Sequence, residues 1–292
     1  MSYDTKWKSH SMNEGHTKET LADISQYPFK AIPDRGISKA TCELLGIRSA
    51  IDEEDGESVI AHYFPYYDQK GNLTGYKKRD LTKHKLEKYH FSAIGKVGVD
   101  SKLFGQQLAE AQGRKRKSLL IVEGEYDVAS VVEACVASVE GTQFAGLIPF
   151  VVGVSCGTAN AVESVLNNEA FVRSFDEQVL GFDNDHASET EKKKGIKRGK
   201  EATEEVASAL MPAKLSVIDW GKHKDASDYL QNDEATQLAK LASFGKKKYT
   251  AEKITRASDI SFDDLIEKRP EGIYVEEFPK LNKMLHGFRT RE

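Results

Sequence analysis

Leu119 to Val122 is a run of four apolar residues that stops abruptly at Glu123-Gly124-Glu125. Asp127 follows within one turn, and Val128, Val131, Val132 and Cys135 then fall at helical spacing. A short apolar run with no polar alternation reads as a strand of a sheet covered on both faces. Carboxylates at the carboxyl end of such a strand stand where open α/β sheets place their ligands. Gly124 between the two acids lets the backbone turn tightly beside them.

The same pattern repeats downstream. Residues 148–152 form a second predicted strand, ending in VGVSCGTANAV, where Gly153 and Gly157 flank a turn and Thr158 can cap the next helix. Residues 178–182 form a third, ending in Asp183-Asn184-Asp185. A helix is predicted over 200–210, then a fourth strand over 214–218, followed by KDASDYL with Asp225 and Asp228. Strands alternating with helices at this spacing mean βαβ units and a mostly parallel sheet with right-handed crossovers. The expected class is therefore α/β, with helices flanking the sheet.

The chain ahead of this unit has a different character. RGISKATCELLGI (35–47) reads as a helix with Ser38 as N-cap and Gly46 as its stop. Residues 58–67 and 73–80 are extended patterns joined by the turn residues DQKGN, a β-hairpin in a smaller α+β subdomain. Residues 1–26 lack periodicity and read as a loose polar arm, and 243–270 as a linker with one short helix near 262–268. The expected organisation is an arm (1–26), a basic subdomain (27–112), the α/β unit (113–242), the linker, and a final apolar segment (271–292).

Charge is concentrated rather than spread. The 292-residue chain has a net charge of −4, yet residues 77–102 hold eight Lys or Arg against three acids. On a strand Lys77 and Arg79 share one face and Lys78 takes the other. Tyr89, His90 and Phe91 interleave aromatic surface suited to stacking on bases or ribose. Scattered lysines on a solvated loop give the same pattern, so charge alone leaves both readings open. Three cysteines without a CxxC pair support neither a zinc ribbon nor a disulfide framework. No apolar run reaches the length of a membrane span and the polar start is not a signal peptide, so the expectation is a cytoplasmic protein.

Glu123, Asp183, Asp185 and Asp225 end strands whose carboxyl edges converge. Two like charges about 4 Å apart repel by about 4 kcal/mol at an effective dielectric near 20, so such a cluster needs protons or cations. Hard oxygen donors, two of them spaced D-x-D, suit Mg2+ or Mn2+. Taken singly, each acid reads as well as a helix cap, and Glu125, Asp127 and Asp228 stay open between the two roles. The glycine turn 153–157 could bind phosphate at backbone N–H groups or serve close strand–helix packing. GIKRGKE (195–201) is not a Walker A motif: it has too few residues between its glycines, and Glu201 replaces the metal-binding Ser/Thr.

LLIVEGEYDV, the glycine turn, GFDND and KDASDYL together resemble the TOPRIM domain shared by DnaG-type primases, type IA and II topoisomerases and some nucleases. With RGISKATCELLGI, GYKKRD and DSKLFG (100–105), residues 33–240 resemble the primase half of the primase–helicases of short-tailed phages. The C-terminal FPKLNKMLHGFRTRE is similar to the lead-in to their helicase domain. The resemblance implies a DNA primase making short RNA primers on single-stranded DNA. It implies Glu123, Asp183 and Asp185 as catalytic acids and Glu123, Asp183, Asp185 and Asp225 as ligands of Mg2+ or Mn2+. Lys77, Lys78, Arg79, Lys83, Lys85, Lys88 and Lys200 would contact nucleotide or DNA. Implied partners are the template, ribonucleoside triphosphates, a replicative helicase domain in cis or trans and a replicative DNA polymerase. The cysteines of the family's zinc domain are missing here, and 186–198 is an insertion. The alternatives are a TOPRIM nuclease or topoisomerase fragment, and a non-catalytic DNA-binding or assembly module of a helicase.

Overall fold

A computed structural model describes residues 19–83, 90–185 and 198–250, with 188, 190, 193 and 280 as isolated positions. The expected final segment 271–292 and the helix near 262–268 otherwise lie outside the described residues.

The first half is built on an antiparallel sheet, β1 (Arg48–Ile51), β2 (Val59–Tyr67), β3 (Leu73–Asp80) and β4 (Phe91–Gly95), in that spatial order. The β2–β3 hairpin turns where DQKGN demands it: Asp68 Oδ1 accepts from the backbone N–H groups of Lys70 and Asn72, both at 2.9 Å. Ahead of the sheet, α1 (Leu21–Gln26) precedes α2 (Lys39–Leu45), which begins at the Ser38 cap and ends at Gly46 in the left-handed region, φ 72°. The helix α1 falls in the stretch expected to be a loose arm. Reciprocal capping by Thr20 and Asp23 starts it, and Ile24 buries itself beside Tyr63 and Tyr76.

After α3 (Gln106–Glu110), the second half carries a five-stranded sheet in the order β6-β5-β7-β8-β9. Its members are β5 (Ser118–Val122), β6 (Val151–Gly153), β7 (Glu177–Gly181), β8 (Leu215–Val217) and β9 (Lys247–Lys248); only β9 is antiparallel. The helices are α4 (Glu125–Val139), α5 (Ala161–Leu166), α6 (Glu169–Val172), α7 (Gly199–Leu210), α8 (Ala226–Gln231) and α9 (Ala235–Phe244). Leu120 and Val122 enter the core shared with α4, α8 and α9; Leu119 and Ile121 enter the one shared with α5, α6 and α7. The apolar run is thus covered on both faces, as its lack of alternation requires.

The described residues from Glu19 to Tyr249 form one compact unit. The antiparallel sheet ends with β4 at Gly95 and the second sheet begins with β5 at Ser118, yet one core runs through both: Phe64, Tyr66 and Phe104 pack with Leu120, Val128 and Val151. Phe104 and Gly153 also exchange backbone hydrogen bonds at 3.0 Å. The expected linker from residue 243 begins inside α9 and includes β9.

One buried charge fastens β9 to the sheet. Glu177, 6% exposed at the start of β7, accepts from Ser216 Oγ at 2.6 Å and Lys246 Nζ at 2.7 Å, with Lys214 Nζ at 3.4 Å. Burial alone would raise its carboxyl, but the Lys246 and Ser216 hydrogen bonds and the lysine charge outweigh it and hold it at about 2. An acid depressed on folding stabilises the fold above its ordinary pKa near 4.5, and the contribution is lost as pH falls through about 2. Glu177→Gln is therefore expected to cost about 1–3 kcal/mol at pH 7. The gap between the urea midpoints of the two proteins should narrow from pH 4.5 downward; equal midpoints at pH 7 would refute the account.

Candidate active site

The strands carrying the acids lie side by side, because β5, β7 and β8 are neighbours in the sheet. Glu123 leaves the end of β5. Asp183 follows β7, and Gly181 lets that strand end lie against Trp220, whose indole Nε1 donates to Phe182 O at 3.0 Å. Asp225 follows β8 and caps α8, accepting from Asp228 N–H at 2.9 Å. Glu123, Asp183 and Asp225 line one cleft of about 240 Å3, and Lys77 of β3 and Phe91 of β4 line it from the antiparallel sheet.

Asp185, expected to join this group, is not part of the cleft wall. Its Oδ1 accepts the Gly199 N–H at 2.8 Å at the start of α7, and its carbonyl accepts from Lys200 N–H at 3.0 Å. Its charge is still felt by Glu123 and Asp183.

The three acids left open are now tied to partners. Both oxygens of Asp127 accept backbone N–H groups, from Gly124 at 3.2 Å and from Ser227 at 3.1 Å, so it joins the starts of α4 and α8. Glu125 is buried and accepts from Lys77 Nζ at 2.8 Å and from Tyr66 Oη. It holds Lys77 in place across the two sheets. Asp228 Oδ2 accepts the Lys224 N–H at 3.0 Å.

The cleft is electrostatically frustrated. Burial, then the charge of Asp183, pushes Glu123 up to about 8, with Asp185 and Asp225 adding to it against the Lys224 charge. Burial raises Asp183 to about 6 against its hydrogen bond from Lys224. Burial likewise raises Asp225, and raises Asp127 well above the usual carboxylate range. Acids this crowded take up protons or a cation. The donor set, carboxylate oxygens only, fits a hard divalent ion in kind. As the side chains stand, no three His, Cys, Asp or Glu among the described residues are gathered closely enough to hold a metal. Lys224 Nζ instead contacts Asp183 and lies 3.9 Å from Asp225.

The predicted basic residues divide. Lys77 reaches the cleft. Lys78, on the other face, pairs with Glu19 at 2.8 Å; Arg79 is buried and donates to His90 O; Lys83 pairs with Asp80 at 3.2 Å. Lys200 Nζ donates to Asn184 Oδ1 at 3.0 Å, and Lys85 and Lys88 lie outside the described residues. In the glycine turn, a Cβ on Gly153 would meet Gly124 O at 3.0 Å, the close-packing role, while Gly157 lines the cleft. Thr158 does not cap α5: it opens a 3-10 turn (Thr158–Asn160), and Asn160 takes the cap position.

Sequence reasoning missed Arg35 and Lys224. Arg35 lines the cleft, stacked 3.8 Å from the Tyr126 ring centroid and donating to Ser227 Oγ at 2.9 Å. Its neighbours are far away in sequence, so nothing local marks it. Lys224 had one signal, its place directly before Asp225.

No protein-family model matches the sequence, and no curated protein matches it. Solved structures do. The primase fragment of the bacteriophage T7 primase–helicase protein matches with a TM-score of 0.56 at 24% identity, over 80% of this chain and 82% of that one. A second match comes from the bacteriophage T7 lagging-strand DNA polymerase interacting with primase domains bound to an RNA/DNA hybrid and dTTP. There the TM-score is again 0.56, at 25% identity over 77% of this chain and 95% of that one. The fold is that of a primase catalytic core. The DnaG primase catalytic domain bound to single-stranded DNA shares it at a TM-score of 0.52 and 16% identity, over 79% of this chain and 74% of that chain. By TM-score and identity the two phage structures match this chain better than the DnaG domain does.

Proposed function

We propose that this chain is the catalytic core of a phage-type DNA primase, joining ribonucleotides into short primers on single-stranded DNA by divalent-metal-dependent nucleotidyl transfer. The observation that carries the reading is a single cleft, in a primase fold, with strand-end acids on one wall and Lys77 on the other. An acidic floor alone repels a triphosphate, and a basic wall alone lacks a place for the cation that must accompany it.

In this reading Glu123, Asp183 and Asp225 would hold Mg2+ or Mn2+, with Asp185 adding charge from behind. Bound there, the divalent ions would make the attacking hydroxyl more acidic and neutralise the leaving pyrophosphate. Lys77, fixed by Glu125, binds the triphosphate and keeps its α-phosphorus in line with the primer 3′-hydroxyl. Glu123, which leaves the end of β5 into the cleft, takes the proton that hydroxyl loses. Phe91 offers a flat apolar face beside Lys77 for base or ribose. The helicase domain and the replicative polymerase are the proposed partners, since the phage relatives are described with both. No helix among the described residues is long and apolar enough to cross a membrane, and the proposed setting is the host cytoplasm.

The decisive experiment supplies the purified protein with single-stranded DNA, labelled ribonucleoside triphosphates and Mg2+. Short oligoribonucleotides that vanish with EDTA are expected; DNA cleavage without triphosphates and no synthesis would replace this reading with the nuclease one. Lys77→Met is expected to raise the triphosphate KM at least tenfold while Tyr66 keeps one hydrogen bond on Glu125. An unchanged KM in dinucleotide synthesis would remove Lys77 from the binding role.

A further inference from the structure

We infer that Lys224 is a tethered cation that holds the acidic cleft together before metal enters and has to be displaced for metal to bind. The inference rests on the reading of this cleft as a metal site. Its Nζ contacts Asp183, lies 3.9 Å from Asp225, and faces Glu123 across the same cleft.

Two further observations fit a movable counter-ion rather than a fixed structural pair. The backbone of Lys224 is anchored at both ends, its carbonyl accepting Asn184 N–H at 2.7 Å and its N–H reaching Asp228 at 3.0 Å. Its side chain, in contrast, is 54% exposed while that of Asp183 is 8% exposed. A rigid root, a four-carbon arm and an open path to solvent let the ammonium leave its acids without disturbing them. Lys222, two residues earlier, is paired away from the cleft with Glu234 and cannot substitute.

A resident ammonium has two effects. It compensates the repulsion among Glu123, Asp183 and Asp225 when no metal is bound, and it weakens metal binding because part of the carboxylate attraction is already satisfied. The cleft would thereby take divalent ions readily only together with a polyanionic triphosphate, toward which the released ammonium can turn.

Mn2+ binding to the whole protein without nucleotide, followed by electron paramagnetic resonance, tests this without any activity readout. Lys224→Met should bind Mn2+ at least tenfold more tightly than the unmodified protein, whereas Lys224→Arg and the neighbouring Lys222→Met should stay within twofold of it. Where Lys224→Met is too unstable to purify in EDTA, it is prepared in Mg2+ and the melting temperatures in Mg2+ and EDTA are compared. The metal-dependent rise should then exceed that of the unmodified protein. Equal Mn2+ affinity, or an equal rise, in Lys224→Met overturns the inference and leaves the metal site standing. Tightening by Lys222→Met as well would reduce it to general charge. Absence of Mn2+ binding in every variant overturns both the inference and the metal-site reading.

Discussion

Asp183→Asn is expected to abolish metal-dependent dinucleotide synthesis, by at least about a thousandfold in kcat, while leaving the fold intact. The two halves of that expectation have different causes. Asn keeps the shape of the side chain in a position only 5% exposed, so packing around β7 is preserved. It removes one of the repelling charges that raise Glu123, so the native state has no new unpaired ion to shelter apart from Lys224, which is half exposed and retains Asp225 nearby. Far-UV circular dichroism and melting temperature should therefore stay close to those of the unmodified protein. Catalysis has no such compensation, since the carboxylate facing the cleft is lost. Asp185→Asn offers a graded comparison: its carboxyl is turned to the start of α7, and a milder loss is expected. Comparable activity in Asp183→Asn and the unmodified protein would remove Asp183 from the catalytic group.

The α/β unit was legible because its apolar runs end in acids, a break that burial forbids within a strand. Glu123, Asp183 and Asp225 do reach one cleft, as convergent strand ends suggested, because β5, β7 and β8 are neighbours. Asp185 shows the limit of a D-x-D spacing: two residues on, the chain has already turned toward α7. The roles of Glu125 and Asp127 depend on Lys77, 48 residues away, and Ser227, 100 residues away, so no local pattern separated cap from ligand. The strand β9 was hidden for another reason. Its two residues, Lys247 and Lys248, carry no alternation, yet an edge strand needs no apolar face, and lysines there discourage pairing with a further chain. Helix α1 was hidden likewise, since only Leu21 and Ile24 of its six residues have apolar partners to meet.

Gly199→Ala reverses what helix propensity would lead one to expect. Gly199 is the first residue of α7, and in an exposed helix interior replacing Gly by Ala gains about 1 kcal/mol. Here a Cβ would stand 2.0 Å from Asp183 O and 2.7 Å from Asp183 N, both backbone atoms. No rotamer change relieves that contact, so either α7 backs away or the 183–185 segment shifts. The first movement breaks the Gly199 N–H bond to Asp185 and the Lys200 N–H bond to its carbonyl. The second moves Asp183 out of register with Glu123 and Asp225. Strain and lost hydrogen bonds together are expected to cost about 2–4 kcal/mol, more than propensity returns. Because a displacement of about 1 Å in a positioning element costs on the order of a hundredfold in rate, primer synthesis should fall by at least that much. Urea unfolding and dinucleotide synthesis on the same preparation separate the two effects. A Gly199→Ala protein that is more stable and fully active would show that propensity wins and that the contact between α7 and Asp183 does not position the acids.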